Sequence, residues 1–303
     1  MAYHTGARWR AWANYGAPSS GTAGTLAGEI EPLGYLHDTL NGVMFVNEGT
    51  KLCPYYTPVP YDQPQLFGVN TDWRDQIGKA LANTDAAAFV GGSGLRIFGQ
   101  GIAETDSGAV ISANGEGGAV MRLTSTNEDA HLVAIGTAAG IMQPDQHQLL
   151  VVDVEVTQVT AITTRACGLG FLGTAADALD PPATSATTVA TLVQDDMCIM
   201  YFDTDFTDGD QFYIAHNKSD AAATMTAVAT AVNCAAAATY QRLRVEIAED
   251  GDATFFIDKA QVSDVVAIAL DVDEECSPVF FIESETTAEA ICDVKRFATW
   301  AYR

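Results

Sequence analysis

The sequence predicts an all-β protein, an antiparallel β-sandwich preceded by an extended N-terminal arm and one short helix. From about residue 88 onward, apolar and polar residues alternate with a period of two, and Gly, Asn, Asp or Pro separates the runs. About thirteen such runs follow at close spacing, which is typical of antiparallel sheets packed face to face. We therefore predict an arm, a proline-rich segment and a helix over residues 1–87, and a sandwich domain over residues 88–303.

The charge of the chain limits its partners. The 303 residues include 15 Lys+Arg and 39 Asp+Glu, a formal net charge of −24. Such a surface repels nucleic acid and anionic membrane, so neither is expected as a partner. The sequence contains no run of about 18 apolar residues, so we predict no membrane span. The N-terminus lacks the apolar region of a secretory signal. The six cysteines show no metal-binding spacing and are expected to be buried free thiols of a chain made in a reducing cytoplasm.

The arm is the one basic part of the chain. Residues 1–28 contain Arg8 and Arg10 and no Asp or Glu. Two interpretations stay open: a disordered tail, or an arm that becomes ordered on a partner, with Trp9 and Trp12 as anchors and the arginines on an acidic surface. The opposite charge of the body makes a second copy of the chain one such partner.

A proline-rich segment follows the arm, from Cys53 to Asn70. Its four prolines are incompatible with a helix and with a central strand, so we expect a stiff, extended segment laid over a surface. Tyr55, Tyr56, Tyr61 and Phe67 are its aromatic residues. Together with the arm, they form the predicted partner-binding surface.

One segment has a helical pattern. Thr71 is a suitable N-cap, and Trp73, Ile77 and Leu81 recur at intervals of four residues, which makes one apolar stripe. These features predict a helix over residues 71–84 that packs on the body. The alanine-rich segment 219–240 is expected to be a strand flanked by loops instead, because threonine and valine alternate with alanine.

A hairpin is predicted between Arg242 and Asp258, with its turn at Glu249–Asp252. Gly251 supplies the positive φ of that turn. Alternation places one set of side chains on the core face and the other on the opposite face. The core set is Leu243, Val245 and Ile247, and the opposite set is Arg242, Arg244 and Glu246.

This hairpin resembles the central hairpin of concanavalin A-like (laminin G-like) jelly-roll domains. The resemblance rests on "RLRVEIAEDGDATFFID", although the usual Asp-Gly after the second strand is Asp258-Lys259 here. "SPVFFIESETTAEAICDVKRFATWAYR" resembles the closing strands, and "GGAVMRLTSTNEDAHLVAIG" the opening ones. "MYFDTDFTDGDQFYIAHN" is similar to virion structural proteins of tailed bacteriophages. The resemblance implies a jelly-roll fold over residues 88–303 and indicates function only weakly.

No catalytic set is expected. Glycosidases of this fold resemble one another in a Glu-x-Asp-x-Glu strand, and the nearest match here is Asp153 and Glu155. Val151 stands where the third carboxylate would be. We therefore predict that Asp153 and Glu155 lie on the solvent face of a strand, that the protein is not an enzyme, and that it needs no cofactor.

One acidic loop is a candidate calcium site. Asp203, Asp205, Asp208 and Asp210 lie within eight residues and offer the hard oxygen ligands that Ca²⁺ prefers. The spacing is not that of an EF-hand, because Gly209 falls one position late. The alternative is a solvated hairpin loop.

The resemblance and the missing catalytic set favour a structural virion protein of a tailed phage. We expect a capsid decoration or cement protein, made in the host cytoplasm and located on the capsid surface. Its partners would be the major capsid protein and sister copies in a homo-oligomeric lattice. The predicted contacts are Arg8, Trp9, Arg10, Trp12, Tyr55, Tyr56, Tyr61 and Phe67. The alternative is a lectin-like, carbohydrate-binding module on a phage tail or capsid surface.

Overall fold

The computed structural model describes most of the chain. The described residues are 11–59, 66–71, 80–81, 89–90, 95–99, 108–113, 119–125, 128–129, 131–137, 141–159, 162–163, 165–173, 181–218 and 224–302. Within these ranges nearly all regular structure is β, with one short 3-10 turn at Pro144–Gln146. No helix of the described part is long and apolar enough to cross a membrane.

The strands of the first half are β1 (Ala11–Asn14), β2 (Tyr35–Asp38), β3 (Val43–Asn47), β4 (Tyr56–Pro58), β5 (Leu66–Thr71), β6 (Ala80–Leu81), β7 (Phe89–Val90), β8 (Leu95–Phe98), β9 (Gly108–Ala113), β10 (Ala119–Thr124), β11 (His131–Thr137) and β12 (Leu149–Gln158). Those of the second half are β13 (Arg165–Leu172), β14 (Ala183–Ala186), β15 (Val189–Leu192), β16 (Asp196–Asp203), β17 (Gln211–Lys218), β18 (Thr224–Thr226), β19 (Val228–Asn233), β20 (Gln241–Ala248), β21 (Ala253–Ile257), β22 (Ala260–Gln261), β23 (Ser277–Ser284) and β24 (Ile291–Tyr302).

Two large sheets form the sandwich. The nine-stranded sheet has the order β22-β21-β20-β12-β24-β10-β9-β6, with β5 also paired to β24. The eight-stranded sheet has the order β19-β17-β16-β13-β23-β11-β8-β7. The strand pairs within both sheets are antiparallel, as on β12, where Val152 lies opposite Val245 of β20 and Thr299 of β24. The predicted all-β antiparallel sandwich is confirmed.

The main core lies between these two sheets. It takes one side of each strand, because successive side chains of a strand point to opposite faces. On β20 the inward residues are Leu243, Val245 and Ile247, as the alternation predicts, and each is fully buried. Phe202 and Phe212 meet edge-to-face in the same core, with ring centroids 5.7 Å apart. Five of the six cysteines are buried, all six are free thiols, and Cys53 is half-buried.

The N-terminal region differs from the predicted extended arm. Strands β1–β4 form a four-stranded sheet, which we call the N-terminal sheet, with β1 parallel to β2. It lies on the outer face of the nine-stranded sheet. Its apolar side chains alternate along the strands, so that Val43 and Phe45 point down and pack with Trp300 and Tyr302 of β24. The arm prediction is wrong for residues 11–28, because residues 11–58 together pack on the apolar outer face of β12 and β24 and complete a core there.

The predicted helix over residues 71–84 is wrong at each position of that segment that the structure describes. Thr71 ends β5, which pairs with β24, and Ala80–Leu81 form β6, which pairs with β9. The remainder of that segment lies outside the described residues. Pairing to an open strand overrides local helical propensity. Because β5 and β6 belong to the nine-stranded sheet, the sandwich begins before residue 88.

A small third layer covers the outer face of the eight-stranded sheet. Strands β14, β15 and β18 form a three-stranded sheet. Its residues Ala190 and Leu192 pack with Tyr201 and Phe281 beneath them. The alanine-rich segment contributes strands β18 and β19, so its prediction as a strand region is confirmed.

The hairpin of β20 and β21 has the predicted turn. Gly251 has φ +82°, and Ala248 and Ile247 pair with Asp252 and Ala253 across it. The opposite set of side chains lies on the outer face of the sheet, as the alternation predicts. Arg244 and Glu246 are buried there, because the N-terminal sheet covers them.

Candidate functional site

An acidic cluster lies at one end of the eight-stranded sheet. Asp203 ends β16, and Glu283 lies at the end of β23. Both stand opposite Ala166 of β13, which runs between these two strands. All three side chains therefore share a face.

Two more carboxylates complete the cluster from the adjoining loops. Carboxylate oxygens of Asp203, Asp205 and Glu285 all lie within 4.8 Å of one another. The backbone N–H of Asp205 donates to Asp203 Oδ1 at 2.8 Å, which fixes the turn that brings the two residues together. Oxygens bound to one Ca²⁺ at about 2.3–2.6 Å lie no more than about 5 Å apart, so this donor set fits that ion.

Glu283 is the unusual member of the cluster. It is 3% exposed although it lies among the carboxylates of Asp203 and Glu285. Burial, followed by the charges of Glu285 and Asp203, holds its pKa well above the usual range. A buried carboxylate surrounded by like charges is unfavourable in its ionised form unless a cation compensates it.

The other members share this electrostatic environment. Burial, then the charges of Asp203, Asp205 and Asp129, raises the pKa of Glu285 to about 8. Burial also raises the pKa of Asp203. The cluster therefore keeps protons near neutral pH unless a cation replaces them.

The predicted calcium loop is only half assembled. The structure brings Asp203 and Asp205 together, but Asp208 and Asp210 lie on the turn beyond them. Asp210 instead accepts a hydrogen bond from Asn233 Nδ2 at 2.9 Å. The missing partners are Glu283 and Glu285, about eighty residues later in the sequence. The signal was available in "SPVFFIES", where a charged residue interrupts an apolar strand that is buried on both faces.

Only some of the predicted partner-binding residues belong to the part of the chain that the structure describes. Arg8, Trp9, Arg10 and Tyr61 lie outside the described residues. Phe67 belongs to β5 and stands opposite Ala301. Trp12 is half-buried and packs against the core beneath the N-terminal sheet.

Tyr55 and Tyr56 require a correction. Both are buried, at 0% and 2% exposure, and so present no surface to a partner. Tyr55 donates its hydroxyl hydrogen to Asp153 Oδ2 at 2.8 Å, and Tyr56 donates to the carbonyl of Thr25 at 2.6 Å. The prolines make this segment extended as predicted, but the surface on which it lies belongs to its own chain.

Asp153 also departs from its prediction. It is fully buried, although the alternation correctly places it opposite the core face. Arg242 Nε and Arg244 Nε donate to its two oxygens at 2.8 and 2.7 Å. Burial alone would raise the pKa of Asp153, but the charges of the two arginines outweigh it and lower the pKa. Glu155 does lie at the surface edge, paired with Lys295 at 2.6 Å.

Comparisons with known proteins find relatives only at the level of structure. No family model matches the sequence, and no curated protein matches it. A protein of unknown function from Shewanella oneidensis MR-1 superposes with a TM-score of 0.51 and 11% identity, over 78% of this chain and 87% of that one. The Emp46p carbohydrate recognition domain gives a TM-score of 0.45 with 7% identity, covering 73% of this chain and 98% of that one.

An alginate lyase, Aly36B, gives a TM-score of 0.44 with 12% identity, over 78% of this chain and 98% of that one. The fold that this chain shares with the Shewanella protein is an all-β, antiparallel β-sandwich. This part of the prediction is confirmed. Identities this low concern the fold alone, and the function of this chain has to be argued from its own side chains.

Proposed function

We propose that this protein is a calcium-dependent carbohydrate-binding protein whose cation is held by the acidic cluster. One observation carries the proposal: carboxylate oxygens of Asp203, Asp205 and Glu285 lie within 4.8 Å of one another, beside Glu283, which is 3% exposed. A divalent cation compensates this charge, because the ion is the largest local charge of such a site.

The geometry supports a sugar as the second ligand of the cation. Ca²⁺ takes about six to eight oxygen ligands. The cluster supplies carboxylates from the sheet side, while Asp205 is exposed and leaves the outer side open to solvent. Sugar hydroxyls are neutral oxygen donors, so they can fill the open positions without adding charge to a chain of net charge −24.

Binding, without catalysis, is part of this proposal. Asp153, the strand carboxylate closest to a glycosidase pattern, is tied to two arginines and one tyrosine beneath the N-terminal sheet. A general acid or base has to reach its substrate within hydrogen-bond distance. The burial of Asp153 supports a role in folding.

The cation step is tested by titrating calcium into the metal-free protein in a calorimeter. We expect Asp203→Asn and Glu285→Gln each to weaken calcium binding at least tenfold, because each removes one charged ligand. Asp208→Asn is the matched control, an aspartate on the same turn but outside the cluster, and should bind like the wild type. Equal effects of all three variants, or no binding by the wild type, would contradict the cation centre.

The carbohydrate step is tested on an array of neutral glycans with calcium and with EDTA. We expect at least one glycan whose binding requires calcium, so that EDTA removes that signal and Asp203→Asn lacks it. If the protein binds calcium but no glycan on the array binds in a calcium-dependent manner, the cation has a structural role and the carbohydrate-binding function is rejected.

A structural role on a phage capsid is the second candidate. It is supported by large apolar side chains exposed on the N-terminal region, with Tyr15, Leu33 and Leu52 at 78%, 72% and 74% exposure. Exposed apolar groups of this kind favour a protein partner when they are contiguous. The major capsid protein and sister copies would be the partners, and the capsid surface the location.

The capsid role is tested by asking whether the protein co-purifies with phage heads in a fixed ratio to the major capsid protein. We expect Leu52→Ser together with Tyr15→Ser to lower that ratio without changing the melting temperature. Heads that lack the protein, or wild-type decoration by the double variant, would count against this candidate.

A further inference from the structure

A polar pocket lies where the N-terminal sheet meets the β20–β21 hairpin. We call it the seam pocket, and its volume is about 170 Å³. It lies on the outer side of the nine-stranded sheet, whereas the acidic cluster belongs to the eight-stranded sheet. Its lining residues are Ser19, Ser20, Ala23, Leu149, Glu246, Ala248, Asp250, Asp252, Thr254, Gln261 and Val265.

The polar groups of the pocket are held in fixed positions. Glu246 is 4% exposed, and its carboxylate accepts hydrogen bonds from Arg244 Nη1 at 3.0 Å and from the backbone N–H of Ser20 at 3.2 Å. Gln261 Oε1 accepts from the backbone N–H of Thr22 at 2.8 Å. These bonds join the loop before β2 to the hairpin, so the pocket is built from two distant parts of the chain.

The lining excludes an anion. Glu246, Asp250 and Asp252 contribute three carboxylates, and the chain as a whole has a net charge of −24. The lining also disfavours a metal ion. Among the described residues, the carboxylates that converge within 4.8 Å are those of Asp203, Asp205 and Glu285, and the pocket's acids do not form such a group.

The remaining chemistry fits a neutral molecule rich in hydroxyl groups. Carboxylate, amide and serine or threonine oxygens accept hydrogen bonds from hydroxyls, while Leu149, Ala248 and Val265 offer an apolar contact. At roughly 30 Å³ for each water molecule, the pocket holds the volume of about five or six waters, which is the size of one six-membered sugar ring. We propose that the seam pocket binds one neutral sugar residue.

This second sugar site would connect the two parts of the chain that form it. A ligand that contacts both Ser19 and Thr254 binds only when the N-terminal sheet is docked. Its binding therefore stabilises the docked state in proportion to the logarithm of its concentration. The site uses no residue of the acidic cluster and does not depend on the proposed cation.

The test is saturation-transfer NMR of the full chain in EDTA with the methyl glycosides of glucose, galactose, mannose and N-acetylglucosamine. We expect millimolar binding of at least one glycoside. Ala23→Leu narrows the pocket from an exposed position, and Thr254→Val removes one hydroxyl at constant shape. Each variant should weaken binding of the glycoside at least tenfold. Glu249→Gln, on the turn of the β20–β21 hairpin but outside the lining, is the control and should bind like the wild type.

The outcomes separate this site from the cation centre. Binding that persists in EDTA and in Asp203→Asn, and is lost in Ala23→Leu, supports the seam pocket. Absence of binding by all four glycosides in EDTA overturns it, as does binding that Ala23→Leu and Thr254→Val leave unchanged. A melting temperature equal to that of the wild type shows that each variant is folded.

Discussion

Asp153 shows how a single residue joins the N-terminal sheet to the sandwich. Its carboxylate has no exposed surface and lies among Arg242, Arg244 and Tyr55. The guanidinium of Arg244 also stacks on the Tyr55 ring, 3.5 Å from its centroid, and donates to the carbonyl of Tyr56 at 2.8 Å. Burying these charges is unfavourable unless every partner is present. The network therefore specifies one docking position of the N-terminal sheet.

At this scale we predict that Tyr55→Phe destabilises the protein. The variant removes a hydrogen bond to a buried carboxylate and keeps the packing, so the free energy of unfolding should fall by about 1.5–3 kcal/mol. Urea unfolding measures the change. Tyr15→Phe, at a residue that is 78% exposed, is the control and should leave stability unchanged. Equal stability of the two variants would show that the Tyr55 bond to Asp153 contributes nothing.

At the level of one residue, the sequence predicts a face but not what covers it. Alternation correctly places Asp153 and Arg244 opposite the core side of their strands. Whether that opposite face meets water depends on a segment that lies 98 residues before Asp153 and 188 residues before Arg244. The aromatic residues of that segment, such as Tyr55, suit a protein interface and a core equally well. Only Asp203 and Asp205 of the acidic cluster were predicted, for a related reason, since Glu283 joins Asp203 only through the strand order β16-β13-β23.

Among the elements, the β20–β21 hairpin was the easiest to predict. Its two strands are adjacent in the sequence, so the alternation and the turn residues specify it locally. The turn also makes a tertiary contact, because the backbone N–H of Ala269 donates to the carbonyl of Gly251 at 2.8 Å. A Cβ at Gly251 would collide with the carbonyl oxygen of Leu270.

We predict that Gly251→Ala costs more than the conformational penalty alone. Gly251 has φ +82°, and Gly28 has φ +84° with no atom within 4 Å of a built Cβ. In both variants the left-handed conformation of the new alanine should lower the free energy of unfolding by about 1–2 kcal/mol. Only Gly251→Ala adds the clash, so it should lose at least about 1 kcal/mol more in urea unfolding. If both lose the same amount, the Leu270 loop moves away freely.

The elements that local patterns failed to predict are those completed by distant pairing. The stripe of Trp73, Ile77 and Leu81 favours a helix, yet Leu81 lies in β6 beside Ala109 of β9. The N-terminal sheet is a similar case, because Val43 and Phe45 find their core on β24. Strand periodicity was reliable wherever both partners were neighbours in the sequence.

For the whole molecule, stability should depend on pH through the acidic cluster. Folding raises the pKa of Glu285 from 4.5 to about 8, so the folded state binds the proton more tightly. This contribution is fully present below about pH 4.5 and is lost as the pH rises to about 8. Asp153 acts in the opposite sense at lower pH, because its pKa is lowered from 3.8 and its contribution is lost in acid.

We therefore expect the free energy of unfolding in EDTA to fall between about pH 4.5 and about pH 8. In Glu285→Gln the fall should be smaller, and in the control Asp208→Asn it should match the wild type. Calcium at one hundred times its Kd should add about 2.7 kcal/mol at the alkaline end. If the free energy of unfolding in EDTA does not change across this pH range, ionisation of the cluster's carboxylates does not destabilise the folded protein, and the prediction is wrong.

The contact between the N-terminal sheet and β24 also has a consequence for biosynthesis. Residues 11–58 leave the ribosome long before β24, and the surface that buries Phe45 includes Trp300 and Tyr302, which emerge some 250 residues later. At about 5–20 residues per second, the sheet waits for tens of seconds with its apolar side uncovered. Nascent chains stalled before residue 291 should therefore bind chaperones and be cleaved by protease within residues 11–58, and chains released past residue 302 should resist both.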